Sequence, residues 1–156
     1  MGEAFNMSAS GFRIEMYSPS AWMRHMAYIA KTEMRPFGVA DATDDMRADV
    51  WRIKAWPSTP TKINNRVASS SVSHVVVRNK DKTIVVQPLT ETPFPHAVQN
   101  AMGASLAFEG MELPFPGAGV RELWGAKSDQ PFWISVIGPD WKYDFEVKPK
   151  HFEKLR

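Results

Sequence analysis

The stretch SVSHVVVRNKDKTIVVQPL, residues 71–89, decides the fold class. Two valine-rich runs flank a short charged segment. A tight turn at residues 79–82, with Lys80 and Asp81 at its tip, sets Val77 opposite Ile84, Val76 opposite Val85, Val75 opposite Val86 and His74 opposite Gln87. Successive side chains of a strand point to opposite faces. One face of the hairpin is then wholly aliphatic: Val75, Val77, Ile84 and Val86. The other is mixed, with Val76 and Val85 flanked by His74, Gln87, Arg78 and Thr83. The first face is expected in a core and the second only partly covered. On this reading His74 is a polar residue of a sheet face, neither catalytic nor a metal ligand, with no carboxylate near it on its own strand.

The same alternation recurs outward from the hairpin. FRIEMY (12–17) places Phe12, Ile14 and Met16 against Arg13, Glu15 and Tyr17, and VWRIKAWP (50–57) places Trp51, Ile53 and Ala55 against Val50, Arg52 and Lys54. FWISVIG (132–138) and KYDFEVK (142–148) read as two further strands, with Tyr143, Phe145 and Val147 facing in. SLAFEGMELPFP (105–116) alternates with a slip at Gly110 that suggests a bulge, and its candidate core positions are Leu106, Phe108 and Met111. Between the first two strands the period changes. Ser18 is placed to cap a helix and Pro19 suits its first turn, and the spacing predicts a helix over 19–33 with Trp22, Met26 and Ile29 on the sheet and His25 outward. Thr43 followed by acids predicts one further helical turn.

The remaining segments read as connections. Residues 1–11 are expected to be a flexible arm, 58–73 a polar loop or edge segment, 91–103 a proline-punctuated loop with a short helical turn, and 117–130 a loop with at most one turn. The basic tail 149–156 reads as helical. The fold expected is mainly β, a single-domain antiparallel β-sandwich spanning 12–156, immunoglobulin-like or transthyretin-like, with about seven strands and one helix inserted after the first.

Composition bounds the function. The chain has 156 residues, of which 44% are apolar and 23% charged, enough for one self-sufficient core. A formal net charge of +2 argues against a dedicated nucleic-acid binder. The absence of cysteine removes disulfides, thiolate metal sites and cysteine nucleophiles. No apolar run is long enough to span a bilayer. The N-terminus lacks the basic and apolar regions of a secretory leader. A cytoplasmic location is expected if the chain is complete as given, and export if a leader preceded it.

Motifs for chemistry are sparse. Of the four histidines, none pairs with another at metal-ligand spacing. His25 reads as a helix-surface residue, His151 as part of the charged tail, and His96, in a loop, is the best placed for catalysis. Asp41, Asp44, Asp45 and Asp49 cluster in DATDDMRAD, but a calcium loop also needs a central glycine and a final glutamate. Gly117-x-Gly119 lacks the third glycine of a dinucleotide fingerprint, whose place Glu122 takes. Ser69, Ser70 and Ser71 lie near His74 with no local acid to complete a triad. No cofactor and no metal are expected.

Aromatic residues beside prolines are the unusual feature. Trp56, Phe94, His96, Phe115, Trp124 and Trp141 fall at expected strand ends or loops and form the candidate binding set. Exposed, they supply contact area at low entropic cost; buried, they plug the ends of a sandwich. The leading function is a non-catalytic binding or assembly module, engaging a protein partner or itself through loop ends or a sheet edge. The first alternative is a carbohydrate- or small-ligand-binding module using exposed tryptophans. The second is an enzyme assembled from dispersed residues, with His96, Glu91 and Glu109 as members.

Overall fold

The computed structural model describes residues 5–9, 12–57, 62–63, 66–67, 72–99, 105–125, 129–139 and 141–151. Its strands, in chain order, are β1 (Phe5–Ala9), β2 (Phe12–Tyr17), β3 (Val50–Pro57), β4 (Lys62–Ile63), β5 (Arg66–Val67), β6 (His74–Arg78), β7 (Val85–Val86), β8 (Thr92–Gln99), β9 (Ser105–Pro116), β10 (Phe132–Ile137) and β11 (Lys142–Val147). Nine of them form two antiparallel sheets, ordered β1-β2-β3-β9-β8 and β11-β10-β6-β7, while β4 and β5 pair only with each other. The chain is therefore mainly β, as expected.

Alternation explains the core. Along β3, Trp51, Ile53, Ala55 and Pro57 are buried and the residues between them are half-buried. Phe12, Ile14 and Met16 of β2 and Met111, Leu113 and Phe115 of β9 share that face. From the second sheet come Val75, Val77, Ile134, Val136, Phe145 and Val147, and all of these side chains join one buried cluster. At about 25 cal/mol per Å² of apolar surface removed from water, each large side chain there contributes roughly 1.5–3 kcal/mol.

The helix α1 (Pro19–Thr32) follows β2. Ser18 Oγ accepts the Ala21 N–H at 3.1 Å, and Pro19 occupies the first turn. Its face differs in detail from the expectation. Ala21 and Ala30 are the fully buried residues, while Trp22, Met26 and Ile29 are half-buried. Alanine lets the helix approach closely, and His25 consequently lies against the Tyr17 ring at 4.8 Å rather than facing outward. The single turn expected near Thr43 is α2 (Asp44–Arg47).

Several expectations are corrected. The hairpin pairs Val77 with Val86 and Arg78 with Val85, two residues longer in the loop than expected. Asn79 holds that loop: its carboxamide oxygen accepts the Ile84 N–H at 3.0 Å and its amide donates to Thr83 Oγ1 at 2.8 Å. Ile84 is only partly buried as a result. Residues 5–9, inside the expected arm, are an edge strand, so α1 follows the second strand and not the first. Thr92–Gln99 is a strand and not a helical turn. Pro93 and Pro95 share one parity at the edge of the sheet, where a missing N–H leaves the ladder with β9 intact.

Residues 117–124, expected as loop, are helix α3, because Val120, Leu123 and Trp124 make an apolar stripe at helical spacing. Gly117 starts it in close contact: its N–H donates to the Asp49 carbonyl at 2.9 Å, and a Cβ would sit 2.1 Å from Asp49 Oδ1. No bulge interrupts β9 at Gly110; the register runs unbroken from Ser105 to Pro116. The side chains of Leu106 and Phe108, and most of the basic tail, lie outside the described residues.

Val77 is fully buried between the sheets. Val77→Asp buries an unpaired charge and should cost about 3 kcal/mol or more in urea unfolding. A loss under about 1 kcal/mol would remove Val77 from the core.

Candidate functional site

The side of β3 that turns away from the core carries Arg52, Lys54 and Trp56. Register fixes their neighbours. Arg52 lies between Tyr17 of β2 and Pro114 of β9, Lys54 between Glu15 and Glu112, and Trp56 beside Arg13. The helix α1 crosses one end of this face and brings Trp22 and His25 over it. The result is a cleft of about 130 Å³ lined by Glu15, Tyr17, Trp22, His25, Arg52, Lys54 and Glu112.

Three rings form one wall. Tyr17 meets Trp22 edge-on at 5.3 Å and His25 at 4.8 Å, and Trp22 lies 5.6 Å from His25. Cations sit on the indole faces. The Arg52 guanidinium is 4.7 Å above Trp22, and Arg13 and Lys54 lie 5.8 and 5.6 Å from Trp56. Lys54 also approaches the Phe94 ring at 4.7 Å. Such contacts contribute about 0.5–1 kcal/mol each at exposed sites.

Gly110 makes the Phe94 position possible. A Cβ there would come within 2.3 Å of Phe94 Cζ and 2.8 Å of the Ala55 carbonyl oxygen. With Lys54 turned toward these rings, the carboxylates of Glu15 and Glu112 make no hydrogen bond or ion pair with any described residue. Trp22 Nε1 is buried without a hydrogen-bond acceptor among the described residues. Burial raises the Tyr17 phenol above its ordinary pKa, and the Glu15 charge raises it further. The phenol is thus held as a donor beside an open carboxylate.

The expected aromatic set divides. Trp56 and Phe94 are half-buried at the margin of this cleft, joined through Lys54. Phe115 is fully buried, and Trp124 and Trp141 are each 8% exposed, so these three are core residues and not a surface platform. Trp124 meets Trp51 edge-on at 5.1 Å, and Trp141 stacks on Phe12 at 4.2 Å. The side chains of His96 and Glu109 lie outside the described residues. Sequence reasoning passed over Glu15, Tyr17, Arg52, Lys54 and Glu112. Alternation put the first four on outward faces, but nothing in the sequence pairs β3 with β9, which brings Glu112.

On the outer face of the second sheet His74, Arg78, Lys142 and Asp144 are joined to neighbours, while Glu146 makes no hydrogen bond or ion pair with a described residue. His74 Nδ1 hydrogen-bonds the Glu91 carboxylate, and Nε2 lies 3.1 Å from Gln87 Oε1. Glu91 arrives on the crossover between β7 and β8, which reasoning along the β6 strand did not anticipate. Both side chains are about one-third exposed, so the pair is worth roughly 0.2–1 kcal/mol. Deeper in the same face, Arg78 Nε donates to Ser135 Oγ at 3.2 Å, and Ser135 donates to Asp144 Oδ1 at 2.5 Å. Arg78 also pairs with Asp144 at 3.3 Å. Asp49 pairs with Arg121 through two hydrogen bonds of 2.8 and 2.5 Å, and Asp41 accepts the Gly38 N–H at 2.7 Å. Among the described residues no group of three or more histidines and acids is arranged to hold a metal ion.

No protein-family model matches the chain, and no curated protein and no solved structure matches it either.

Two titrations check these surfaces. Tyr17, identified by loss of its signal in Tyr17→Phe, should ionise above the ordinary tyrosine value in ultraviolet absorbance; Glu15→Gln should lower it part of the way, because burial remains. An unchanged Tyr17 would separate Glu15 from the cleft. Burial opposes ionisation of Asp144, but the Ser135 hydrogen bond and the Arg78 and Lys142 charges outweigh it and hold the carboxyl below its ordinary range. A depressed folded-state pKa stabilises above the unfolded value of about 3.9 and is lost as pH falls through the folded value. Asp144→Asn should cost about 1 kcal/mol or more at neutral pH and flatten the loss of stability below about pH 4. An unaltered acid limb in urea unfolding would show that Asp144 contributes nothing there.

Proposed function

We propose that this chain is a β-sandwich binding module whose ligand seat is the cleft between α1 and the outer face of β2, β3 and β9. The sandwich reading is supported by one buried cluster shared by two sheets. Immunoglobulin-like and transthyretin-like labels describe its layering only. Three successive strands, β1, β2 and β3, are neighbours in one sheet, whereas the immunoglobulin order sends its third strand to the second sheet.

One observation carries the seat: among the described residues two carboxylates, Glu15 and Glu112, stand without hydrogen-bond or ion-pair partners inside a concavity walled by rings and crossed by cations. Asp49, Asp144 and Glu91 have partners, and it is the position of Glu15 and Glu112 in a cleft that sets them apart from Glu122 and Glu146. Concave sites with an aromatic lining and a few polar groups are where small ligands bind. Open hydrogen-bonding capacity in such a place is what a ligand uses.

A second reading, pairing with a partner protein or a second copy along a sheet edge, is favoured by β1. The other edges are guarded: β8 by Pro93 and Pro95, β11 by outward Lys142, Asp144 and Glu146, and β7 by its length of two residues. Phe5–Ala9 carries neither proline nor charge.

Thermal shift against a panel of neutral sugars, amino acids, alkyl amines and organic acids tests the seat. At least one class should raise the melting temperature of the wild type, by about 2 °C or more for a gain near 0.5 kcal/mol, and leave the Glu15→Gln/Glu112→Gln variant unmoved. Failure of every class, or an equal shift in the variant, overturns the reading.

A further inference from the structure

We infer that the ligand of this cleft is a neutral, polyhydroxylated ring, a sugar residue recognised through its vicinal hydroxyls; the inference rests on the binding reading above. The first ground is charge. Two acids, Glu15 and Glu112, and two bases, Arg52 and Lys54, line the cleft and cancel. They also alternate. Register sets Glu15, Lys54 and Glu112 side by side on three adjacent strands, which lie about 4.8 Å apart. A ligand of either sign meets repulsion one strand away from any attraction. A hydroxyl does not, because it donates to a carboxylate while accepting from the neighbouring ammonium.

The second ground is hydrogen-bonding supply. Among the described residues the Glu15 and Glu112 carboxylates are open acceptors, the Tyr17 phenol is a donor lining the same cleft, and the Lys54 ammonium lies over the Trp56 and Phe94 rings at its margin. Neighbouring hydroxyls on one ring can donate to Glu15 and Glu112 and accept from Tyr17, with Lys54 reached at the margin. A volume of about 130 Å³ admits one ring.

The third ground separates this mode from aromatic stacking. The faces of Trp22 and Trp56 already carry Arg52, Arg13 and Lys54. The indoles therefore hold the cations in place, and the charged groups read the ligand.

The test is nitrogen–proton NMR of the full chain with glucose, galactose, mannose and myo-inositol, each at tens of millimolar. Glycine, butylamine and citrate represent the zwitterion, cation and anion. At least one neutral polyol should shift the amides of Glu15, Lys54 and Glu112, and its dissociation constant should rise tenfold or more in Lys54→Met. Glu112→Gln, at an exposed position, gives a second reading of the same loss and serves alone if Lys54→Met does not fold. Binding of glycine, butylamine or citrate at these residues with no polyol response overturns the sugar assignment and leaves the seat standing. Polyol shifts that are equal in wild type and both variants overturn the assignment as well. Silence from all seven compounds overturns the seat and the assignment together.

Discussion

The period of two along β3 is the constraint on which the rest of the molecule depends. This strand is the middle one of five, so both its faces are set by its neighbours. Trp51, Ile53 and Ala55 anchor one side of the buried cluster, and on the other face Arg52 and Lys54 line the cleft with Trp56 at its margin. A slip of one residue would exchange the two sets, placing three polar or amphipathic side chains in the core. The cost of burying Arg52 and Lys54 without partners is many times the net stability of a domain this size. Core and cleft are therefore one decision, made by a single register.

The two outer faces show two ways of treating charge. On the second sheet Arg78, Ser135 and Asp144 are joined in a network, with Ser135 fully buried and its hydroxyl both donating and accepting. Networks satisfied in this way fix a structure. On the first sheet, acids and bases are neighbours in register, yet the lysine leaves its acids for rings. Gly110 leaves room for the Phe94 ring, and Lys54 lies over that ring and Trp56 and makes no ion pair with Glu15 or Glu112.

Much of the core was legible in the sequence, and little of the cleft was. Val75, Val77, Ile53 and Phe145 are placed by alternation alone, and the α1 start by Ser18 and Pro19. The hairpin register was not, because Asn79 builds a longer loop from its own side-chain hydrogen bonds. Pro93 and Pro95 concealed β8, since an edge strand tolerates prolines that a central one does not. Gly117 and Gly119 concealed α3, although Val120, Leu123 and Trp124 carried its period. The cleft depends on β3 meeting β9 and on α1 returning over β2, and pairing between distant strands leaves no local signature. Aromatic residues at expected strand ends and loops were a misleading cue: Phe115, Trp124 and Trp141 fill the core because large rings bury most surface.

The pairing of β3 with β9 also has a temporal side. Val50 meets Pro116 and Ala55 meets Met111, so some sixty residues of chain separate the halves of the first sheet. Contacts of that span delay folding, because the loop must close before the contact forms. On a ribosome adding about 5–20 residues each second, the β1-β2-β3 segment emerges whole and then waits on the order of 3–12 s for its last partners. Throughout that interval β3 lacks β9 on one side, and its apolar face lacks β10 and β11 of the opposing sheet. The newborn chain passes through a state with an open strand and a bare hydrophobic surface, the form most exposed to chaperones, proteases and aggregation.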